Sequence, residues 1–139
     1  MGIGVFNAVE NRVNAVVKNT ETGNEREVEV NPLTNYNVIV LDQVLRKNSF
    51  VTLTNTNVTR DGIATDANVS QFDWQLANKK NKYAFSGYAG LSQIFNEKGV
   101  EAGHNWSTSF EKISGNFTFE LSHEQISDQY NPNDLGFLN

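Results

Sequence analysis

Gly115-Asn116-Phe117-Thr118-Phe119-Glu120-Leu121-Ser122-His123-Glu124 carries the pattern that recurs along most of the chain. Phe117, Phe119 and Leu121 alternate with Asn116, Thr118, Glu120 and Ser122. Successive side chains of an extended chain point to opposite sides, so this alternation makes a strand with one apolar face and one wet face. The polar partners are almost all uncharged. The same rule returns upstream. Residues 67–78 set Phe72, Trp74 and Leu76 against Gln71, Asp73 and Gln75. Residues 82–95 set Tyr83, Phe85, Ala89, Leu91 and Phe95 against Ser86, Tyr88, Gly90 and Ser92. Residues 101–112 set Trp106 and Phe110 against Asn105, Ser107 and Ser109.

Working toward the N-terminus, residues 49–60 read as a strand closed by Asp61-Gly62. Residues 34–45 form a long strand with Tyr36, Val38 and Val40 on one side and Ile39 and Leu41 on the other. Being apolar on both sides, it is expected to be the most buried. Residues 25–30 alternate charge with valine until Asn31-Pro32, because proline cannot donate to a ladder. Residues 3–9 and 12–19 are separated by Glu10-Asn11, and Asn19-Thr20-Glu21-Thr22-Gly23-Asn24 is a turn rich in groups that bond their own backbone. Short connections between long alternating segments predict an all-β fold, an antiparallel up-and-down meander of about seven to eight strands. It would be a barrel or part of a larger barrel, spanning residues 1–139 as one domain. No segment has the period of an amphipathic helix.

Composition narrows the function classes. Hydrophobic residues make up 38% and charged ones only 19%, with twenty asparagines among the neutral polar remainder. Aromatic and β-branched residues argue against disorder. A net charge of -5 and dispersed lysines argue against a nucleic-acid partner. The lack of cysteine excludes disulfides and thiolate metal sites. Met1-Gly-Ile-Gly-Val-Phe6 has no basic leader or cleavage pattern, and the alternation starts in mid-strand. A piece of a longer chain is therefore expected.

No residue set forms a catalytic motif, and no cofactor is expected. His104 and His123 would need carboxylate partners to bind a metal. His123 and Glu124 point to opposite faces, so no metal site is assigned. The oxygen-rich run from Asp128 to Gly136 lacks calcium-loop spacing and reads as turn caps. The N-x-[ST] triplets at Asn57, Asn68, Asn105 and Asn116 fall within strands and follow from composition. No G-x-S-x-G elbow supports a serine triad. Tyr88 shares a face with Ser86 and Ser92 rather than with the other aromatics, which makes it the best single candidate for a lumen or ligand contact. Asp73 and Glu120 join it as in-strand acids. Together they are also the one pair to test for the two carboxylates of a glycoside-processing enzyme.

Alternation does not say whether the apolar face meets a core or lipid. Several stretches resemble the C-terminal region of an uncharacterised family of Gram-negative envelope proteins. They are Gly2-Ile3-Gly4-Val5-Phe6-Asn7-Ala8-Val9, Pro32-Leu33-Thr34-Asn35-Tyr36-Asn37-Val38, Asn55-Thr56-Asn57-Val58 and Ser86-Gly87. They continue with Leu91-Ser92-Gln93-Ile94-Phe95, Lys112-Ile113-Ser114-Gly115-Asn116-Phe117 and Tyr130-Asn131-Pro132-Asn133-Asp134-Leu135-Gly136-Phe137-Leu138. In that family a family-9-like carbohydrate-binding module precedes an outer-membrane β-barrel. The resemblance spans the chain in collinear order and brings no catalytic residues with it. It implies a bacterial outer-membrane location, with a lipid bilayer or the remaining strands of a larger barrel as partners. It also implies a role in envelope structure, transport or glycan handling. The alternative is a soluble β-sheet carbohydrate-binding module with a polysaccharide as ligand. On the barrel expectation Phe72, Trp74, Leu76, Phe117, Phe119 and Leu121 face outward, and Gln71, Asp73, Gln75, Asn116, Thr118 and Glu120 face inward.

Overall fold

The computed structural model describes residues 1–62 and 64–133. It contains nine strands and no α-helix among the described residues: β1 (Gly2–Glu10), β2 (Val13–Lys18), β3 (Glu25–Asn31), β4 (Thr34–Arg46), β5 (Ser49–Arg60), β6 (Asp66–Ala77), β7 (Tyr83–Asn96), β8 (Gly99–Lys112) and β9 (Phe119–Ile126). Seven form one antiparallel sheet in the order β1-β4-β5-β6-β7-β8-β9, and β2 with β3 forms a separate ribbon. The all-β antiparallel meander is as expected. Seven strands make the main meander, and β2–β3 is a hairpin inserted between two of its neighbours.

The connections follow from their residues. Lys47-Asn48 turns β4 into β5, with Asn48 in the left-handed region at φ 60°. At the tip of the ribbon, the Asn19 side-chain oxygen accepts from the Glu21 and Thr22 amides at 2.8 and 3.1 Å. Arg12 ties the ribbon's base to the sheet by pairing with Glu29 at 3.0 Å and Asp61 at 2.5 Å. The last strand starts later than the alternation suggests. Gly115 sits at φ 106°, and Lys112 pairs with Phe119, so Asn116, Phe117 and Thr118 belong to the β8–β9 connection.

The sheet is a single layer that does not close. β1 pairs only with β4 and β9 only with β8, and among the described residues the two edges stay apart. Among the described residues no second sheet and no helix covers either face, which corrects the expectation for β4: Ile39 is 44% and Leu41 40% exposed. The faces nevertheless differ. Thr34, Val58, Ala67, Ala77, Ala84, Gly90, Ser92 and Gly103 are buried on the polar face, and Ser49, at the start of β5, is the one other buried residue among those described. Val58 and Ala67 pack there with Tyr36 and Val69. Gly90, Ser92 and Gly103 are covered by the segment that follows β9.

Candidate functional surfaces

Register assigns every strand residue to a face, since directly opposed residues share one. The row Leu41–Leu53–Phe72–Ala89–Trp106 crosses five strands on the aromatic face. Leu76, Phe85, Phe110 and Leu121 make a second such row. The large residues here remain open, with Phe72 at 40%, Leu76 at 39%, Phe119 at 40% and Leu121 at 74% exposure. Trp74 stacks between Phe72 and Phe85, with ring centroids 5.8 and 6.0 Å away.

The apolar band does not run straight across the sheet. On β1 and β4 it centres on Ile3, Val5, Ile39 and Leu41, on β6 on Phe72 to Leu76, and on β9 on Phe119 and Leu121. The row through Phe72 is polar by the time it reaches Gln125. The band thus climbs by about one residue per strand, which at ~3.3 Å per residue and ~4.8 Å per strand is a slope of roughly 35°.

Below the band, on the same face, lies a row that the sequence did not announce. Asn7, Asn37, Asn57, Asn68 and Gln93 stand opposite one another across five adjacent strands. Their amides interlock with one another and with neighbours. Asn7 donates to Asn35 and Asn37 at 2.6 and 2.7 Å, Asn55 donates to Asn68 at 2.8 Å, and Asn68 donates to Gln93 at 3.3 Å. Asparagine's abundance was visible in the sequence, but its alignment required the register.

The polar face holds the three residues singled out from the sequence. Tyr88 lies directly opposite Asp73 and donates to Glu124 at 2.5 Å. Asp73 accepts from Gln71 at 2.8 Å, and Glu120 accepts from Ser109 at 3.1 Å. Asp73 and Glu120 are not brought together. They stand on β6 and β9, three strands apart, or about 14 Å laterally at ~4.8 Å per strand. Paired glycosidase carboxylates lie roughly 5–9.5 Å apart, so this pair does not make that site. His104 and His123 both fall on the aromatic face, where His123 packs on Trp106 with centroids 5.0 Å apart. Among the described residues no three His, Asp or Glu side chains gather as a metal site would require.

A second feature missed from sequence lies over β7 and β8. After β9 the chain folds back across the polar face. His104 N–H donates to Ser127 Oγ at 2.8 Å, and Asn131 N–H donates to the buried Ser92 Oγ at 3.0 Å. A Cβ at Gly103 would lie 2.2 Å from the backbone of Gln129 and Tyr130, so only glycine admits this strap. The Tyr130 ring comes down beside Gly90 and Asn105. Of the oxygen-rich run proposed as turn caps, Asp134 to Gly136 lie outside the described residues. Asn131 caps its own turn by accepting from the Asn133 amide at 3.0 Å.

The phenol of Tyr130, in the segment after β9, ionises with more difficulty than an ordinary tyrosine at 10.0, mainly because it is buried. A folded-state value above the unfolded one contributes stability that is complete below pH ~10 and lost as pH rises through the folded value. The domain is therefore expected to weaken in alkali above pH ~10. Tyr130→Phe should remove one late-ionising tyrosine from the ultraviolet tyrosinate titration; an unchanged titration would contradict the burial of this ring.

Comparison with known proteins places the chain. A profile described as a domain of unknown function (DUF5916) matches residues 1–139. The chain belongs to this family. No curated protein and no solved structure matches it. Membership in DUF5916 agrees with the resemblance at the level of an uncharacterised domain. The barrel and the accompanying carbohydrate-binding module that the resemblance implies belong to the reading below.

Proposed function

We propose that this DUF5916 domain is a non-enzymatic sector of an outer-membrane β-barrel wall, with its aromatic face toward lipid and its polar face toward the interior. Its role would lie in envelope structure, transport or glycan handling. The observation that carries this reading is the oblique apolar band. A flat sheet packed on a flat soluble layer has no reason to tilt its apolar residues in step from strand to strand. A wall crossing a flat slab of hydrocarbon does, because strands of membrane barrels tilt by roughly 35–45° and the apolar belt must stay level. The slope of roughly 35° matches that tilt. The uncovered aromatic side chains on one face and the hydrogen-bonded acids Asp73, Glu120 and Glu124 on the other have the same sense, since hydrocarbon does not solvate carboxylates.

The free edges fit a wall sector. Among the described residues β1 and β9 each present an unpaired row of backbone donors and acceptors, and β9 is exposed along its whole length. Open edges of this length favour partner strands, here the rest of a larger barrel.

One observation favours the alternative, a soluble carbohydrate-binding sheet. The amide row beside Phe95 offers the donors, acceptors and ring that a polysaccharide would meet. Production without detergent separates the two. The wall reading expects aggregation or a strict requirement for detergent or lipid, whereas a monodisperse monomer in plain buffer that binds polysaccharide would replace it.

A further inference from the structure

We propose that the end of the sheet formed by the β4–β5, β6–β7 and β8–β9 connections is a basic, aromatic-girdled rim that seats among anionic phospholipid headgroups. The proposal rests on the barrel-wall reading and adds the lipid chemistry that the wall meets and the end at which it meets it.

Charge is divided between the two ends of the sheet. Arg46, Lys47, Lys79, Lys80, Lys82 and Lys112 all lie at this end, six of the chain's 11 lysines and arginines. All but the half-buried Lys112 are exposed. Among the described residues none of the six is in a salt bridge; the pairs of Arg12 and Lys18 lie at the opposite end or in the ribbon. The acids nearest the rim are Glu111 and Glu120, which oppose each other on the polar face. The opposite end and ribbon carry Glu10, Glu21, Glu25, Glu27, Glu29, Asp61, Asp66, Glu97 and Glu101.

The rim is also where the rings gather. Tyr83 stacks on Phe110 at 5.9 Å, Phe110 meets Phe119 at 6.0 Å, and Phe119 meets Phe117 at 6.1 Å. Lys112 Nζ lies 5.5 Å above the Phe117 ring. Rings at the boundary of an apolar band with lysines reaching past them suit the level where acyl chains give way to phosphates. A soluble ligand would not need the ring girdle, and a nucleic acid would not need the apolar band above it.

The source of the phosphate follows from the connections. The β2–β3 ribbon, the longest excursion from the sheet among the described residues, leaves from the acidic end. Long connections of outer-membrane barrels lie outside the cell and short ones inside. The basic rim therefore falls in the inner leaflet, which is phospholipid.

The test is flotation of the full-length protein with vesicles of phosphatidylcholine alone, phosphatidylcholine with phosphatidylglycerol, or phosphatidylcholine with lipopolysaccharide. The expected result is a preference of roughly tenfold or more for phosphatidylglycerol over phosphatidylcholine that fades with salt. The combined Lys79→Glu, Lys80→Glu and Lys82→Glu variant should lose that preference and keep its binding to phosphatidylcholine. Arg46→Glu with Lys47→Glu, in a separate turn, should weaken it independently. Equal binding to charged and neutral vesicles, a preference kept by both variants, or a stronger preference for lipopolysaccharide would overturn the proposal and leave the wall reading standing. Failure to bind any vesicle would overturn both.

Discussion

Replacing Phe72 by arginine is expected to cost roughly 2–4 kcal/mol of folded stability in a bilayer and to block insertion, because a cation in mid-band has no water to keep. Phe72 sits on β6 inside the aromatic band, beside Leu53 and Ala89 on the neighbouring strands and 40% exposed. Gln71, one residue away, points to the other face, and Gln71→Arg should be nearly neutral. Phe119→Arg, at the centre of the same band on β9, should cost about as much as Phe72→Arg. The measurement is the urea midpoint of vesicle-folded protein for each variant. Equal losses at positions 71 and 72 would mean that the faces do not meet different solvents.

Valine at Gly103 is expected to have the second largest effect, the expulsion of the strap. Its Cβ would overlap the backbone of Gln129 and Tyr130, and neither can retreat as a flexible side-chain end would. The Asn131 amide, bonded to Ser92 Oγ, reports directly on this. Its hydrogen exchange should accelerate by about tenfold or more, the loss of one buried hydrogen bond, while amides in the β7–β8 ladder stay protected. Ser92→Ala removes the acceptor without steric conflict and should give the same local signature. Unchanged exchange in both variants would mean that the strap does not rest on this face.

The alternation of Phe72-Trp74-Leu76 against Gln71-Asp73-Gln75 was legible because period two is a local property of the backbone, and the faces come out as read. Turns were legible for the same reason, in Asn19 to Asn24 and at Asn48. What register joins was not. The amide row links Asn7 to Gln93 through three intervening strands, and no local pattern tells a row of partners from scattered asparagines. Gly90 and Gly103 looked like ordinary strand glycines, and their purpose appears only once Tyr130 and Gln129 lie upon them. The start of β9 was misjudged because the alternation of Asn116-Phe117-Thr118 continues through a connection, where rings still pack on Phe119 but no ladder forms. Tyr88 was found by its odd parity, while its partner Glu124 needed the ladder from β7 through β8 to β9.

Trp74 and Trp106 are the chain's two tryptophans, both on the aromatic face, which makes them built-in reporters of what that face touches. Their fluorescence in vesicles made with lipids brominated along the acyl chain distinguishes a lipid-facing aromatic surface from a water-facing one. A barrel wall requires strong quenching by the brominated lipid and little by an aqueous quencher. Quenching by the aqueous agent with none from the lipid would place the aromatic face in water and contradict the account.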